Sequence, residues 1–322
     1  MDINLEDYRD CVRVAKLYYE GSLTQQEIAK MLGLSRVKVH RILNQARDLG
    51  IVEIKIHTPA NEKFLEQEHQ LILRHNLRDA LVVPPSAGEE PIYDNLAQGA
   101  ARWLASKIEP GTRIGLGLGR TISYLPKYFI VGAQVECIFT EIVGGSLENS
   151  GGIAKYNVTS KLADIAGGRA ELLYAPNMVS NPALRQSLIS EPAVADALER
   201  ARSCDIVVQS VGTVDETAIL YVEDRIERAD LDALQAAGAI GDALGHYFDV
   251  NGQPVSTFMD DRIIGIGLDD LKNVPWSVVV AGGEEKHAVI QAALQGGFFN
   301  VLITDTDTAA FLLQQGPPVK TE

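Results

Sequence analysis

The chain is poor in cysteine. Its 322 residues hold three, Cys11, Cys137 and Cys204, far apart and each in apolar surroundings. That spacing offers neither a disulfide framework nor a zinc site, and buried free thiols are expected. Long apolar runs are missing too. No stretch approaches the roughly 18 consecutive apolar residues that cross a bilayer, and the opening Met1-Asp2-Ile3-Asn4 is acidic and polar where a secretory leader would be basic and then apolar. A soluble, cytoplasmic protein without a membrane partner is expected. The six histidines, His40, His57, His69, His75, His246 and His287, are scattered, and no His-Asp or paired-carboxylate constellation stands out for proton transfer. A Walker loop and a dinucleotide fingerprint are both absent, so no cofactor is expected. Positive charge is scarce: 29 Lys and Arg against 43 Asp and Glu leave a net charge of −14.

That scarcity is uneven. Residues 1–57 carry nine basic and eight acidic side chains, whereas residues 58–322 carry 20 and 35. Within 22–47, Lys30, Arg36, Lys38, Arg41 and Arg47 face Glu27 alone. An acidic body repels nucleic acid, so any contact with DNA falls to the N-terminal segment.

The segment Leu23–Ile56 spells a helix-turn-helix followed by a short strand. Thr24-Gln25-Gln26-Glu27 is a capping box: the Thr24 hydroxyl accepts from the Glu27 N–H while the Glu27 carboxylate reaches back to the Thr24 N–H. Ile28, Ala29 and Leu32 make the apolar face of the helix that starts there, and Gly33 supplies the positive φ that ends it. Ser35 caps the next helix. In it Val39, Ile42, Leu43 and Ala46 recur at helical spacing, leaving long donors on the opposite face, as a helix reading a major groove requires. The DNA-facing set is Thr24, Gln25, Ser35, Arg36, Val37, Lys38, His40, Arg41 and Asn44. One such module makes few phosphate contacts, so a homo-oligomer, a dimer or tetramer, is expected on double-stranded operator DNA.

An amphipathic helix over 58–76 is expected to link this module to the rest. From Ala80 onward strands alternate with helices: strands at 81–83, 113–116, 135–143, 170–174, 205–210, 276–281 and 300–304, and helices at 94–108, 154–166, within 182–203, within 227–237, at 284–295 and at 306–315. Apolar strands between helices predict an α/β fold, an open and mostly parallel sheet covered on both faces, with ligands in the crevice at the carboxyl ends of its strands. Those ends carry glycines. Gly117-Leu118-Gly119-Arg120-Thr121 opens a helix, with bare backbone donors, a bidentate cation and Thr121 as a cap, the makings of an anion cradle. Gly144-Gly145 and Gly282-Gly283 follow two other strands. Asp242 stands alone in the Gly- and Ala-rich run 238–245 and needs a partner, a ligand hydroxyl or a turn. Lys286, expected on the first turn of a helix, is badly placed for the helix dipole, which suggests another reason for its presence.

Read in order, Gly21–Ala29, Leu32–Arg36, Gly50-Ile51-Val52, Gly117–Thr121, Gly238–Asp242 with Phe248-Asp249, Gly282-Gly283 with Lys286, and Leu302–Asp305 with Thr308-Ala309 resemble the SorC family of sugar-binding bacterial transcriptional regulators over nearly the whole chain. The resemblance implies a winged helix-turn-helix over 1–57, a linker helix over 58–78 and an α/β effector and oligomerisation domain of the sugar-phosphate-isomerase type over 79–322. It implies a homotetramer or dimer of dimers whose operator affinity changes with a sugar, polyol or sugar phosphate. By position Gly117, Gly119, Arg120 and Thr121 would hold a phosphate or polar end, Gly144 and Gly145 would line the cleft, and Asp242 and Lys286 would bind hydroxyls or a carbonyl. The other reading is an isomerase or deaminase of sugar phosphates carrying a DNA-binding module. Asp242 and Lys286 could act as its acid and base, but a DNA module is superfluous to an enzyme, and the regulator is favoured.

Overall fold

Two caps set the frame of the N-terminal unit. The computed structural model describes residues 5–53, 64–85, 92–145, 158–222 and 225–314, and the chain divides into two units, Met1–Asn61 and Glu62–Glu322. In the first, Thr24 and Glu27 form the reciprocal capping box at the start of helix Gln25–Leu32, which ends at Gly33 with φ 67°. The Ser35 side chain accepts from the Lys38 N–H at 3.2 Å at the start of helix Arg36–Asp48. Substituting such a cap by Ala costs about 1 kcal/mol. Ile28 and Ala29 from the first helix and Val39, Ile42, Leu43 and Ala46 from the second pack on Cys11, Val14 and Ala15 of helix Leu5–Ala15. The strand expected at Ile51–Ile56 is not seen where the structure describes it: Ile51 and Val52 form a bend and Glu53 is irregular, with residues 54–56 outside the described set. The Ile51 and Val52 N–H groups turn back to the Ala46 carbonyl, which closes the end of the recognition helix instead of starting a ladder.

The second unit is a seven-stranded sheet with every neighbouring pair parallel. Its strands are β1 (Asp79–Val83), β2 (Arg113–Leu116), β3 (Ile138–Glu141), β4 (Arg169–Glu171), β5 (Ile206–Gln209), β9 (Trp276–Val280) and β10 (Val301–Asp305), in the order β1-β10-β9-β5-β2-β3-β4. Three short strands, β6 (Gly212–Thr213), β7 (Gly241–Ala243) and β8 (His246–Phe248), form a separate antiparallel sheet. Side chains alternate across the large sheet, as the pleat demands. Val207, Val279 and Leu302 enter the core covered by helices Leu65–His75, His287–Gln295 and Thr306–Gln314, whereas Ile206, Val208, Val278 and Ile303 enter the one covered by Ile92–Lys107, Arg120–Tyr128 and Val158–Ala166. Burial on both faces is why these strands read as unbroken apolar runs.

Several elements are shorter than their sequence patterns. The strand expected over 135–143 is hydrogen-bonded only over Ile138–Glu141, and that over 170–174 over Arg169–Glu171. The helix expected from residue 154 is described from Val158, with 154–157 outside the described residues. Glu284–Lys286 make a 3-10 turn, and the α-helix starts at His287 with Lys286 as its N-cap, so Lys286 does not lie on the first α-helical turn. Leu71, in the helix expected as a linker, is fully buried in the core of the second unit. Among the described residues no helix is long and apolar enough to cross a membrane, and all three cysteines are free and buried.

Candidate functional site

The exposed face of helix Arg36–Asp48 carries Arg36, Val37, Lys38, His40 and Arg41, with Asn44 and Gln45 half-buried behind them. The caps fix its N-terminal end, the end that enters a groove in helix-turn-helix modules. Both Thr24 donors, its backbone N–H first, hold the Glu27 carboxyl below its ordinary pKa. Along the helix, Arg47 Nη2 donates to Asn44 Oδ1 at 2.7 Å and Asn44 Nδ2 lies 3.2 Å from His40 Nε2, so three polar side chains are held in a row. Val37 is 78% exposed among cations, an apolar group suited to a thymine methyl. All nine residues expected to face DNA lie in this cap-and-helix segment.

In the second unit the chain leaves β2 toward β3 and leaves β5 toward β9, on opposite sides of the β2–β5 pair. The strand order reverses between β2 and β5, and in open α/β sheets the crevice outside the carboxyl ends at such a reversal is where ligands bind. The two exits are Gly117–Thr121 and Gln209–Gly212. Gly117 gives its N–H to the Val208 carbonyl at 3.1 Å. A Cβ on Gly117 would lie 1.5 Å from Gln209 Oε1 and 3.1 Å from Leu244 Cδ2, so only glycine admits the Gln209 amide there. Helix Arg120–Tyr128 begins after Gly119 with no side-chain cap, leaving its first N–H groups open to an anion. Thr121, expected as the cap, is the second residue of that helix and buried, because the helix begins two residues earlier, with Gly119 at the cap position. Arg120 is exposed and reaches Tyr93, its Nη1 3.3 Å from the hydroxyl.

Asp242 and Lys286 meet at the other exit. Asp242 Oδ2 accepts from the Gly245 N–H at 2.9 Å, and Oδ1 lies 2.2 Å from where a Cβ on Gly212 would stand. Burial pushes its carboxyl pKa up, opposed by the Gly245 N–H and the Lys286 charge. Lys286 Nζ donates to the Val211 carbonyl at 2.9 Å. Burial pushes its pKa down, Glu285 and Asp242 oppose the fall, and the Arg120 charge adds to it. Burial works against the charged form of each, and their attraction for one another works for it, so a ligand hydroxyl placed between them can donate to Asp242 and accept from Lys286. A hollow of about 480 Å³ is lined in part by Thr213, Asp215, Ile240 and Glu285, and neither Asp242 nor Lys286 is among its lining residues.

The fold therefore brings Gly117, Gly119, Arg120, Asp242 and Lys286 around the exit of β5. Gly144 and Gly145 are engaged elsewhere: their N–H groups go to the Ile264 and Ala175 carbonyls at 2.9 Å each. Gly145 still lines a small cavity of about 40 Å³ with Gly117, Gly119 and Glu141. Glu141, Gln209, Ser210 and Asp305 escaped the sequence reading. Burial raises the Glu141 pKa, against the Leu173 N–H that bonds it at 2.8 Å. Gln209-Ser210 carried a usable signal, a polar pair closing an apolar strand. Asp305 Oδ2 accepts from the Gly283 N–H at 2.9 Å and the Thr308 hydroxyl at 2.7 Å, tying down the turn before Lys286.

Comparison with known proteins agrees with both halves. The family described as "Putative sugar-binding domain" matches residues 60–314, and the Crp-like helix-turn-helix domain matches residues 8–60. The chain is 32% identical over 308 residues to the transcriptional regulator LsrR of Escherichia coli K12, covering 94% of this chain and 93% of that protein. It is similar to the crystal structure of the full-length sorbitol operon regulator SorC from Klebsiella pneumoniae, with a TM-score of 0.71 and 29% identity over 96% of this chain and 99% of that one. The probable sor operon regulator from Shigella flexneri matches 77% of this chain and 99% of its own, at 26% identity and a TM-score of 0.69.

Proposed function

Since the chain belongs to the SorC family of sugar-binding transcriptional regulators, we propose that its effector binds in the crevice between the exits of β2 and β5 and that operator DNA is held by helix Arg36–Asp48. The protein is a DNA-binding regulator modulated by a sugar effector, not an enzyme. In our reading Arg120 and the open N-terminus of its helix, with Gly117, Gly119 and Thr121, face the more polar or phosphorylated end of a sugar, polyol or sugar phosphate. Asp242 and Lys286 take its hydroxyls or carbonyl, and Gly144 and Gly145 shape the rim. Thr24, Gln25, Ser35, Arg36, Val37, Lys38, His40, Arg41 and Asn44 form the DNA face. The working protein is a cytoplasmic homo-oligomer, a dimer or tetramer, with a DNA module over 1–57, a linker over 58–78 and an effector domain over 79–322.

The observation that carries this reading is the convergence of Arg120, Asp242 and Lys286 on the β5 exit, where the charges of Arg120 and Asp242 both act on Lys286 and that of Lys286 acts on Asp242. A ligand that binds only the native state raises the melting temperature. We expect a thermal-shift screen of hexoses, hexitols and their phosphates to yield a compound that also changes DNA affinity. One relative regulates a sorbitol operon, which places sugar alcohols early in that panel. Stabilisation by phosphates alone supports the Arg120 end as a phosphate site, and stabilisation by free polyols alone moves the weight to Asp242. A compound that binds equally well to Lys286→Ala and Asp242→Ala places the effector elsewhere.

A further inference from the structure

Gln209 closes β5 on the same face as Val207, inside the core, and is only 5% exposed. Its Oε1 is buried and has no hydrogen-bond partner. A buried acceptor without a donor is a standing cost to the native state and calls for a reason. The niche holding it is built from two strands: β2 ends at a glycine, and the Gln209 amide fills the space a side chain at 117 would take, 1.5 Å from the Cβ position. The Gly117 N–H beside that niche is given to the Val208 carbonyl, and among the described residues no donor bonds the Gln209 oxygen. Around it the other acceptors are engaged, Asp242 Oδ2 by Gly245 and the Val211 carbonyl by Lys286. Ser210, the next residue, lies against Gly119, its Cβ 3.5 Å from where a Cβ on that glycine would stand. Gln209 thus sits at the reversal of strand order, between the Arg120 and Asp242–Lys286 ends of the crevice, with the accepting capacity of its amide oxygen unspent.

We propose that Gln209 is the specificity-determining residue of the effector crevice, its amide oxygen accepting a hydrogen bond from one neutral hydroxyl of the bound effector. This rests on the crevice being the effector site. The terminal torsion of a glutamine is soft, so the amide turns out of the Gly117 niche as the ligand enters. The chemistry selects the ligand's orientation. A hydroxyl has a proton to give the amide oxygen, whereas an ionised phosphate or carboxylate has none, so the group that meets that oxygen is a hydroxyl and Arg120 is left for any anionic end.

The test uses the full-length protein and Gln209→Leu, which keeps the volume and removes the acceptor. The probes are glucose, sorbitol, mannitol, their 6-phosphates, and monodeoxy analogues of whichever binds best. We expect free Gln209→Leu to melt at the wild-type temperature or about 2–4 °C higher, since the orphaned acceptor is gone, with DNA binding unchanged. We expect the wild type to lose about tenfold in affinity at one deoxy position and the variant to show no loss at that position. A variant that keeps the wild-type deoxy profile overturns the proposal. So does one that melts lower and weakens for every probe alike, which is the mark of a structural role. A wild type that binds no probe overturns the sugar-effector reading of the crevice and this proposal with it.

Discussion

Asp305 is the sharpest test of how the crevice is held together. It is 2% exposed, and its carboxylate accepts four hydrogen bonds: Oδ1 from the Asp307 and Thr308 N–H groups, both at 2.9 Å, and Oδ2 from the Gly283 N–H and the Thr308 hydroxyl. It therefore caps helix Thr306–Gln314 and clamps the Gly282-Gly283 turn at once. A Cβ on Gly282 would lie 2.1 Å from Oδ2, so the backbone is pressed directly on the carboxylate. Asp305→Ala removes a cap, about 1 kcal/mol, strands the Thr308 hydroxyl proton at about 1 kcal/mol or more, and leaves the Gly283 N–H with only its 3.2 Å bond to Thr308 Oγ1, so about 2–3 kcal/mol in total is expected. Asp305→Asn keeps both bonds at Oδ1 but sets an amide NH2 against the Gly283 N–H, for about 1–2 kcal/mol. Both tryptophans, Trp103 and Trp276, lie in the Glu62–Glu322 unit, so their fluorescence in urea reports that unit alone, at fixed protein concentration and with an unchanged m-value. An Asp305→Ala variant within 1 kcal/mol of wild type, or one no worse than Asp305→Asn, refutes the clamp, since about 1 kcal/mol is expected to separate the two from the bond count.

Arg41→Ala and Lys38→Ala are expected to weaken binding to duplexes selected from a random pool, each lowering the salt slope of log K by about one if it removes a phosphate contact; unchanged affinity and slope in anisotropy titrations would remove that helix from the groove. Lys286→Ala and Asp242→Ala are each expected to keep wild-type DNA affinity and to blunt the response to the effector; a normal response from both in the release assay relocates the ligand site. Burial pushes the Cys204 thiol up to about 12, so its proton is kept in the native state and lost from the unfolded chain above the ordinary thiol pKa of about 8.5. Stability should fall as pH rises from there toward the folded value, and Cys204→Ala should flatten that fall in urea titrations; equal slopes in the two proteins would count against the burial.

The helix-turn-helix was legible almost to the residue because its signals are local, whereas helix Leu5–Ala15 went unread and the strand expected from Ile51 is a bend at Ile51-Val52. Thr24–Glu27, Gly33 and Ser35 act over three or four positions, and the structure places them as their spacing implies. The parallel sheet was legible because burial on both faces leaves a pattern that survives in sequence. The three-stranded sheet was not. Gly212–Thr213 and Gly241–Ala243 are two and three residues long, too short for any period to register, and their pairing spans 28 residues of chain from Thr213 to Gly241. The site follows the same division. Asp242 and Lys286 could be singled out as chemically misplaced and Arg120 as the cation of a glycine-rich cradle, but that all three converge on Gln209–Gly212 depends on strand order, which no local pattern encodes. Gln209 looked like the end of a strand until Gly117 came to lie beside it.

That convergence bears on how completely an effector can switch this protein. The β5 exit joins the two sheets, since Gln209 ends a strand of one and Gly212 begins a strand of the other, with Lys286 bonded to Val211 between them. A ligand seated there acts only through a difference in affinity between two arrangements, and moving a 1:99 balance to 99:1 takes about 5.5 kcal/mol. A hydrogen bond to a charged group is worth about 1.5–3 kcal/mol and a neutral one about 0.5–1.5 kcal/mol. Arg120, Asp242, Lys286 and Gln209 together can supply that difference only if nearly all of them bind the ligand in one arrangement and release it in the other. Loss of Lys286 alone then lowers the switching ratio by one to two orders of magnitude and leaves a partial response at saturating effector. Loss of Lys286 and Asp242 together brings it close to none. A full response from the double variant would mean that the coupling energy enters the protein somewhere other than the β5 exit.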